Sequence, residues 1–155
     1  MPNLKKIIYG IAVICCMLII FSLSHQPATL SDELSTGVTE YILAALKRIA
    51  PDAAIDLNNS NHIVRKNAHF FIYLVLGILV VSTLRRFGTG WYRVAGWALM
   101  ICVVFAITDE VHQIFVPGRG AQVQDVLIDS AGAFLGIGLY ALFSRIFRRK
   151  AKQNG

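Results

Sequence analysis

A chain of 155 residues that is 55% apolar, with a mean hydropathy of +0.58, exceeds the roughly 45–50% apolar usage of soluble domains, and its length allows one domain. The surplus lies in long runs, which excludes a soluble protein with buried helices, because too little polar surface would remain to cover them. A net charge of +6 and a pI near 9.5 do not point to nucleic acid here, since the basic residues flank the apolar runs, where topology and anionic lipid account for them.

A spanning helix takes about 20 mostly apolar residues, because a core of about 30 Å is crossed at about 1.5 Å per residue. Backbone polar groups in lipid must bond within their own segment, so such runs are helices. In chain order, the sequence predicts spanning helices at about 7–23, 68–84, 91–113 and 124–147, within one all-α polytopic membrane domain covering 1–155. The first follows Lys5 and Lys6 and is longer than the usual 7–15 apolar residues of a signal peptide, so it reads as a retained span. Cys15, Cys16 and Cys102 fall inside spans and read as packing residues, with no disulfide framework.

The connection 24–67 is the only long one. Within it "SDELSTGVTEYILAALKRIAP" (Ser31–Pro51) predicts an amphipathic helix. Ser31 is its expected N-cap, Asp32 and Glu33 suit the first turn, and Pro51 stops it. Leu34, Val38, Ile42, Ala45 and Ile49 share one face, which suits the outer membrane interface or the mouth of the bundle. The stretch Pro51–His62 reads as an irregular loop. The short "RRFGTGWYR" (Arg85–Arg93) makes the second and third spans antiparallel neighbours. Of the fifteen basic residues, ten (Lys5, Lys6, Arg85, Arg86, Arg93, Arg145, Arg148, Arg149, Lys150 and Lys152) flank one side, and all nine acids belong to the other. The basic side faces the cytoplasm, so both termini are expected inside.

Polar residues gather at the outer ends of the spans. Arg65, His69 and Tyr73 form an i, i+4, i+8 stripe; Asp109 and Gln113 are spaced i, i+4; Gln122, Asp125 and Asp129 lead into Gly132 and Gly136, a small-xxx-small pattern that permits close helix approach. Asp109 and Glu110 fall about one turn, roughly 6 Å, inside the membrane edge, where lone carboxylates are costly. They are therefore expected to face inward and to pair with Arg65 or Arg119. The expected product is an outward-facing pocket of Arg65, Lys66, His69, Tyr73, Asp109, Glu110, Gln113, Arg119, Asp125 and Asp129, with Pro117-Gly118 turning the chain between its last two helices. There is no H-E-x-x-H, and Glu110 and His112 diverge on one helix, so no metal and no cofactor is expected.

"RKNAHFFIY" (Arg65–Tyr73), "TDEVHQIFVPGR" (Thr108–Arg119), "DVLIDSAGAFLG" (Asp125–Gly136) and "FSLSHQ" (Phe21–Gln26) resemble the motifs of the VanZ-like family of small polytopic bacterial membrane proteins. The resemblance implies a cell-envelope protein; the family takes its name from a protein that accompanies glycopeptide resistance and gives resistance to teicoplanin. Asp129 stands where the family often has asparagine.

Two functional classes remain open. A mixed-sign pocket beside a hydrocarbon wall suits an amphiphilic ligand: a lipid headgroup, a lipid-linked cell-wall precursor or a lipoglycopeptide. The same residues could serve a membrane-embedded enzyme acting on a lipid-linked substrate, with Asp109 or Glu110 as general base and His69 or Arg119 stabilising charge. Ser22, Ser24, Ser60 and Ser130 lie in no Gly-x-Ser-x-Gly context, so covalent catalysis has little support. An ion path ranks last, because the cytoplasmic halves of the spans carry no titratable relay. Membrane lipids are the expected partners.

Overall fold

The computed structural model describes residues 2–49, 57–88 and 90–153. These form five α-helices, α1 (Pro2–Ser24), α2 (Ala28–Ile49), α3 (Leu57–Leu84), α4 (Trp91–Gln113) and α5 (Val123–Gln153), with a 3-10 turn at Arg85–Phe87 and no strand among the described residues. Four helices are long and apolar enough to cross a membrane, over Leu4–Ser24, Ile63–Phe87, Trp91–Gln113 and Val123–Ile146. Their outward surfaces are covered with exposed aliphatic and aromatic side chains, from Ile7 and Ile14 on α1 to Phe134 and Phe143 on α5. In water such a surface would aggregate; in a bilayer it is the lipid contact. The chain is a multi-pass membrane protein.

α4 keeps the expected bounds, 91–113, whereas the other three spans extend beyond those expected from hydropathy. α1 begins at Pro2 rather than residue 7, and α5 continues to Gln153 rather than 147. α3 begins at Leu57 rather than 68, so the second half of the expected loop Pro51–His62 is helical, while Pro51–Asp56 lies outside the described residues. Hydropathy marks where lipid begins, whereas a helix stops only where its hydrogen bonds do, and polar turns can project from the membrane. α2 also starts earlier than expected. The Ser31 amide donates to the Pro27 carbonyl at 3.1 Å, which puts Pro27 at the cap and Ser31 inside the helix.

α3 is the hub and touches each of the other four helices, α5 most extensively. The α3–α5 seam is made by glycine: a Cβ placed on Gly132 or Gly136 would collide with the Phe70 or Leu74 carbonyl, and one on Gly77 with the Ala133 carbonyl. The small-xxx-small pattern is thus used for backbone-to-backbone packing, as expected.

Three of the remaining helices contribute core residues spaced four apart: Cys16 and Ile20 on α1, Val94, Ala98, Cys102 and Ala106 on α4, Ala133 and Ile137 on α5. At one end of the bundle these rows do not stop at the last apolar residue. They continue to Ser24, Glu110 and Asp129, all buried. This is the pocket end. At the other end, basic side chains lie on aromatic rings, Arg86 over Tyr9 at 3.8 Å and Lys6 over Phe87 at 5.0 Å, the anchoring chemistry of a membrane interface. Cys16 and Cys102 are core residues and Cys15 is exposed; all three are free thiols.

Of the two seats expected for the apolar face of α2, the membrane interface and the mouth of the bundle, its first half does not use the second. Leu34 and Val38 are exposed, and it is Thr39, one residue further, that is buried, so the polar side meets α3 and the apolar side faces away from the bundle.

Candidate functional site

Five segments converge at the pocket end. Asp109 on α4 accepts a hydrogen bond from the Ser24 hydroxyl of α1 at 2.6 Å. Glu110, its neighbour, accepts one from the Gln122 backbone amide at 2.8 Å. Gln122 caps α5, since its carbonyl receives the Asp125 amide, so Glu110 fastens the start of α5 to the end of α4. The link between them turns at Gly118, whose φ of 76° is left-handed and therefore suits glycine. The Pro117 carbonyl in that turn receives the Ala28 amide at 3.2 Å, which ties the start of α2 to the same end.

The ion pairs differ from those expected. Arg65 reaches out to Asp32 on α2 at 2.9 Å, and Lys66 holds Asp125 at 2.9 Å. Neither Arg65 nor Arg119 pairs with Asp109 or Glu110. Those carboxylates take a hydroxyl and a backbone amide instead, because a residue at the end of a core row is within reach of its neighbours' helix ends but not of arginines at the rim. His69 Nδ1 lies 3.7 Å from Asp129 Oδ2, beyond hydrogen-bond distance. Arg119 has no ion pair among the described residues, and its Nε is buried without a hydrogen-bond partner. Burial, then the nearby Arg65, lower the Arg119 pKa below its ordinary value, while Asp109, Asp32 and Glu110 oppose them. The guanidinium nevertheless stays charged at any physiological pH.

A cavity of about 100 Å³ opens among these groups. Of the ten residues expected to form it, Arg65, Lys66, His69, Gln113, Arg119, Asp125 and Asp129 line its wall. Tyr73, Asp109 and Glu110 do not; they lie in the protein interior, all less than 4% exposed. Ala28, Gly118, Gly120, Gln122 and Ile128 complete the lining. Sequence reasoning missed Ser24 and Asp32 as partners. Ser24 was detectable as the residue four after Ile20 on the buried row of α1. Nothing in the sequence signals Asp32, because its contact to Arg65 depends on how α2 folds back.

The same ends of α1 and α4 carry a second polar pair, outside the cavity lining. His25 Nδ1 and His112 Nε2 are 3.1 Å apart, with Phe21 against the His112 ring at a centroid distance of 4.4 Å.

The family model described as VanZ/LLP1 matches residues 9–144, a span that includes all four segments carrying the resemblance. The chain belongs to the VanZ-like family. Comparison with curated proteins and with solved structures returned no match. The pocket of this VanZ-like protein is therefore read from its own chemistry: one guanidinium without an ion pair among the described residues, two ion-paired cations at the rim, and a half-buried imidazole with carboxylates beneath them.

Proposed function

We propose that this VanZ-like protein binds an amphiphile of the bacterial envelope, with the ligand's anionic head in the pocket and its acyl part along the lipid-facing surface. The observation that carries this reading is Arg119. A cavity-lining guanidinium without an ion pair among the described residues, and with a buried unpartnered Nε, is a charge-assisted donor awaiting an anion. Exposed Phe71, Phe115 and Phe134 offer apolar surface for a chain. The excess of basic residues at the opposite end favours a pocket that opens outward, with both termini cytoplasmic. The chemical class is a phosphate- or carboxylate-headed lipid, a lipid-linked cell-wall precursor or a lipoglycopeptide, and the physiological role is of the glycopeptide (teicoplanin) resistance type.

A second reading has its own support. His69, Asp109 and Asp129 bring their polar atoms within 4.8 Å of one another, an arrangement suited to proton transfer on a lipid-linked substrate, with Asp109 or Glu110 as general base. Reconstituted protein incubated with labelled lipid-linked precursor, phosphatidylglycerol and, as a neutral control, phosphatidylcholine separates the two. Saturable binding of an anionic lipid without product, lost in Arg119→Gln, is the expected result. A product that disappears in Asp109→Asn supports the enzyme, and equal retention of all three lipids overturns the binding proposal.

A further inference from the structure

The three-helix meeting of His69, Asp109 and Asp129 has a geometry that hydrogen bonding does not explain. The two aspartates are essentially inaccessible, 1% and 0% exposed. Asp129 has no hydrogen-bond partner on either oxygen, Asp109 none on Oδ1, and His69 none on Nδ1. Buried polar atoms are ordinarily satisfied, and a run of orphans at one point calls for a common partner. Two of the nearby cations are committed elsewhere, Arg65 to Asp32 and Lys66 to Asp125, and the third, Arg119, makes no ion pair with either aspartate although it lines the same cavity.

We infer that His69, Asp109 and Asp129 form a site for one divalent metal cation of the Zn2+ or Mn2+ type, at the floor of the pocket and with one ligand from each of α3, α4 and α5. Two ligand atoms bonded at about 2.1 Å to a tetrahedral ion lie about 3.4 Å apart. The 3.7 Å between His69 Nδ1 and Asp129 Oδ2 is long for a hydrogen bond but close to that edge, and all three donors fall within 4.8 Å. A mixed set of imidazole and carboxylates suits zinc or manganese better than calcium or copper(I). A dication with two carboxylates and a neutral imidazole sums to zero charge, which matters for groups buried at membrane depth. The outer support that ligating carboxylates need is also present, since the Ser24 hydroxyl holds Asp109 Oδ2 and leaves Oδ1 for the ion. Tyr73, one turn beyond His69 on α3, is fully buried with an unpartnered hydroxyl, a further polar group for a water on the metal. This inference does not depend on which amphiphile, if any, the pocket takes.

The test uses the full chain in detergent, stripped with chelator. Binding of Mn2+ is followed by loss of the free-ion electron paramagnetic resonance signal, and of Zn2+ by elemental analysis after dialysis. The expected result is one ion per chain, weakened at least tenfold in His69→Gln and Asp129→Asn and unchanged in Glu40→Gln, an exposed carboxylate of α2, and in His112→Gln, with each variant checked for elution as the same species. X-ray absorption on the metal complex of the unaltered protein keeps the test decisive if a variant fails to fold. One imidazole with oxygen donors supports the site, whereas two imidazoles assign the ion to His25 and His112 and overturn it, as do thiolate donors or no saturable binding of either ion.

Discussion

The Ser24 hydroxyl donates to the Asp109 carboxylate at 2.6 Å across 85 residues of sequence, with both side chains buried. This bond joins the end of α1 to the end of α4 and supplies the only hydrogen bond to that carboxylate among the described residues. Ser24→Ala leaves a buried acceptor with less compensation, for which about 1–3 kcal/mol is the ordinary cost. The expected outcome is a lower unfolding midpoint in detergent; Ser24→Thr, which keeps the hydroxyl, is expected to retain more of the stability. Equal midpoints for all three proteins would remove the bond from any structural role.

Arg119 and Arg65 are predicted to behave differently despite their shared charge and shared pocket. The Arg65 partner, Asp32, is 60% exposed, and exposed ion pairs contribute about 0.2–1 kcal/mol. Arg65→Gln is expected to change stability little, whereas Arg119→Gln removes the cation without an ion pair and is expected to abolish retention of anionic lipid. Co-purified lipid quantified by mass spectrometry for the two variants checks this, and the reverse order would contradict the role given to Arg119.

Gly132 and Gly136 tolerate no side chain without movement of main chain, because the atoms a Cβ would meet are the Phe70 and Leu74 carbonyls rather than flexible side-chain ends. Overpacking of about 1–3 kcal/mol or more is expected for each Gly→Ile substitution. Thermal unfolding in detergent reads it. Gly138, which has nothing within 4 Å of such a Cβ, provides the control and is expected to accept Ala without loss.

The charge asymmetry predicts where the ends of the chain lie. A reporter active only in the cytoplasm is expected to work when fused at Gly155, and one active only outside is expected to work within α2. The opposite pattern would invert the molecule and turn its pocket inward.

Four spans and their order were legible because lipid imposes length and apolarity on a sequence directly. The inward face of Glu110 was also legible, since it continues the row of Val94, Ala98, Cys102 and Ala106. Helix ends were less so: Leu57–His62 is polar and still helical, because polarity outside the membrane does not break a helix. The direction of α2 was left open between the membrane interface and the mouth of the bundle. Leu34 and Val38 suit either seat, since an apolar face beside a membrane can turn to lipid and leave Thr39 for the protein. The expected pairing of Arg65 with Asp109 or Glu110 failed because charge alone does not fix distance. A spacing argument confined to one helix likewise could not see His69, Asp109 and Asp129, which come from three.

Gly132 rests on Phe70, and Phe70 follows His69 in the chain as Gly132 follows Asp129 by three residues. The separation between that imidazole and that carboxylate is therefore gauged by two touching main chains, which cannot rotate away as side chains can. Much as the jaws of a caliper hold a gap once the beam is locked, the α3–α5 seam holds this one. Any substitution that spreads the seam is felt first as a wider gap at the pocket floor, before the bundle itself comes apart.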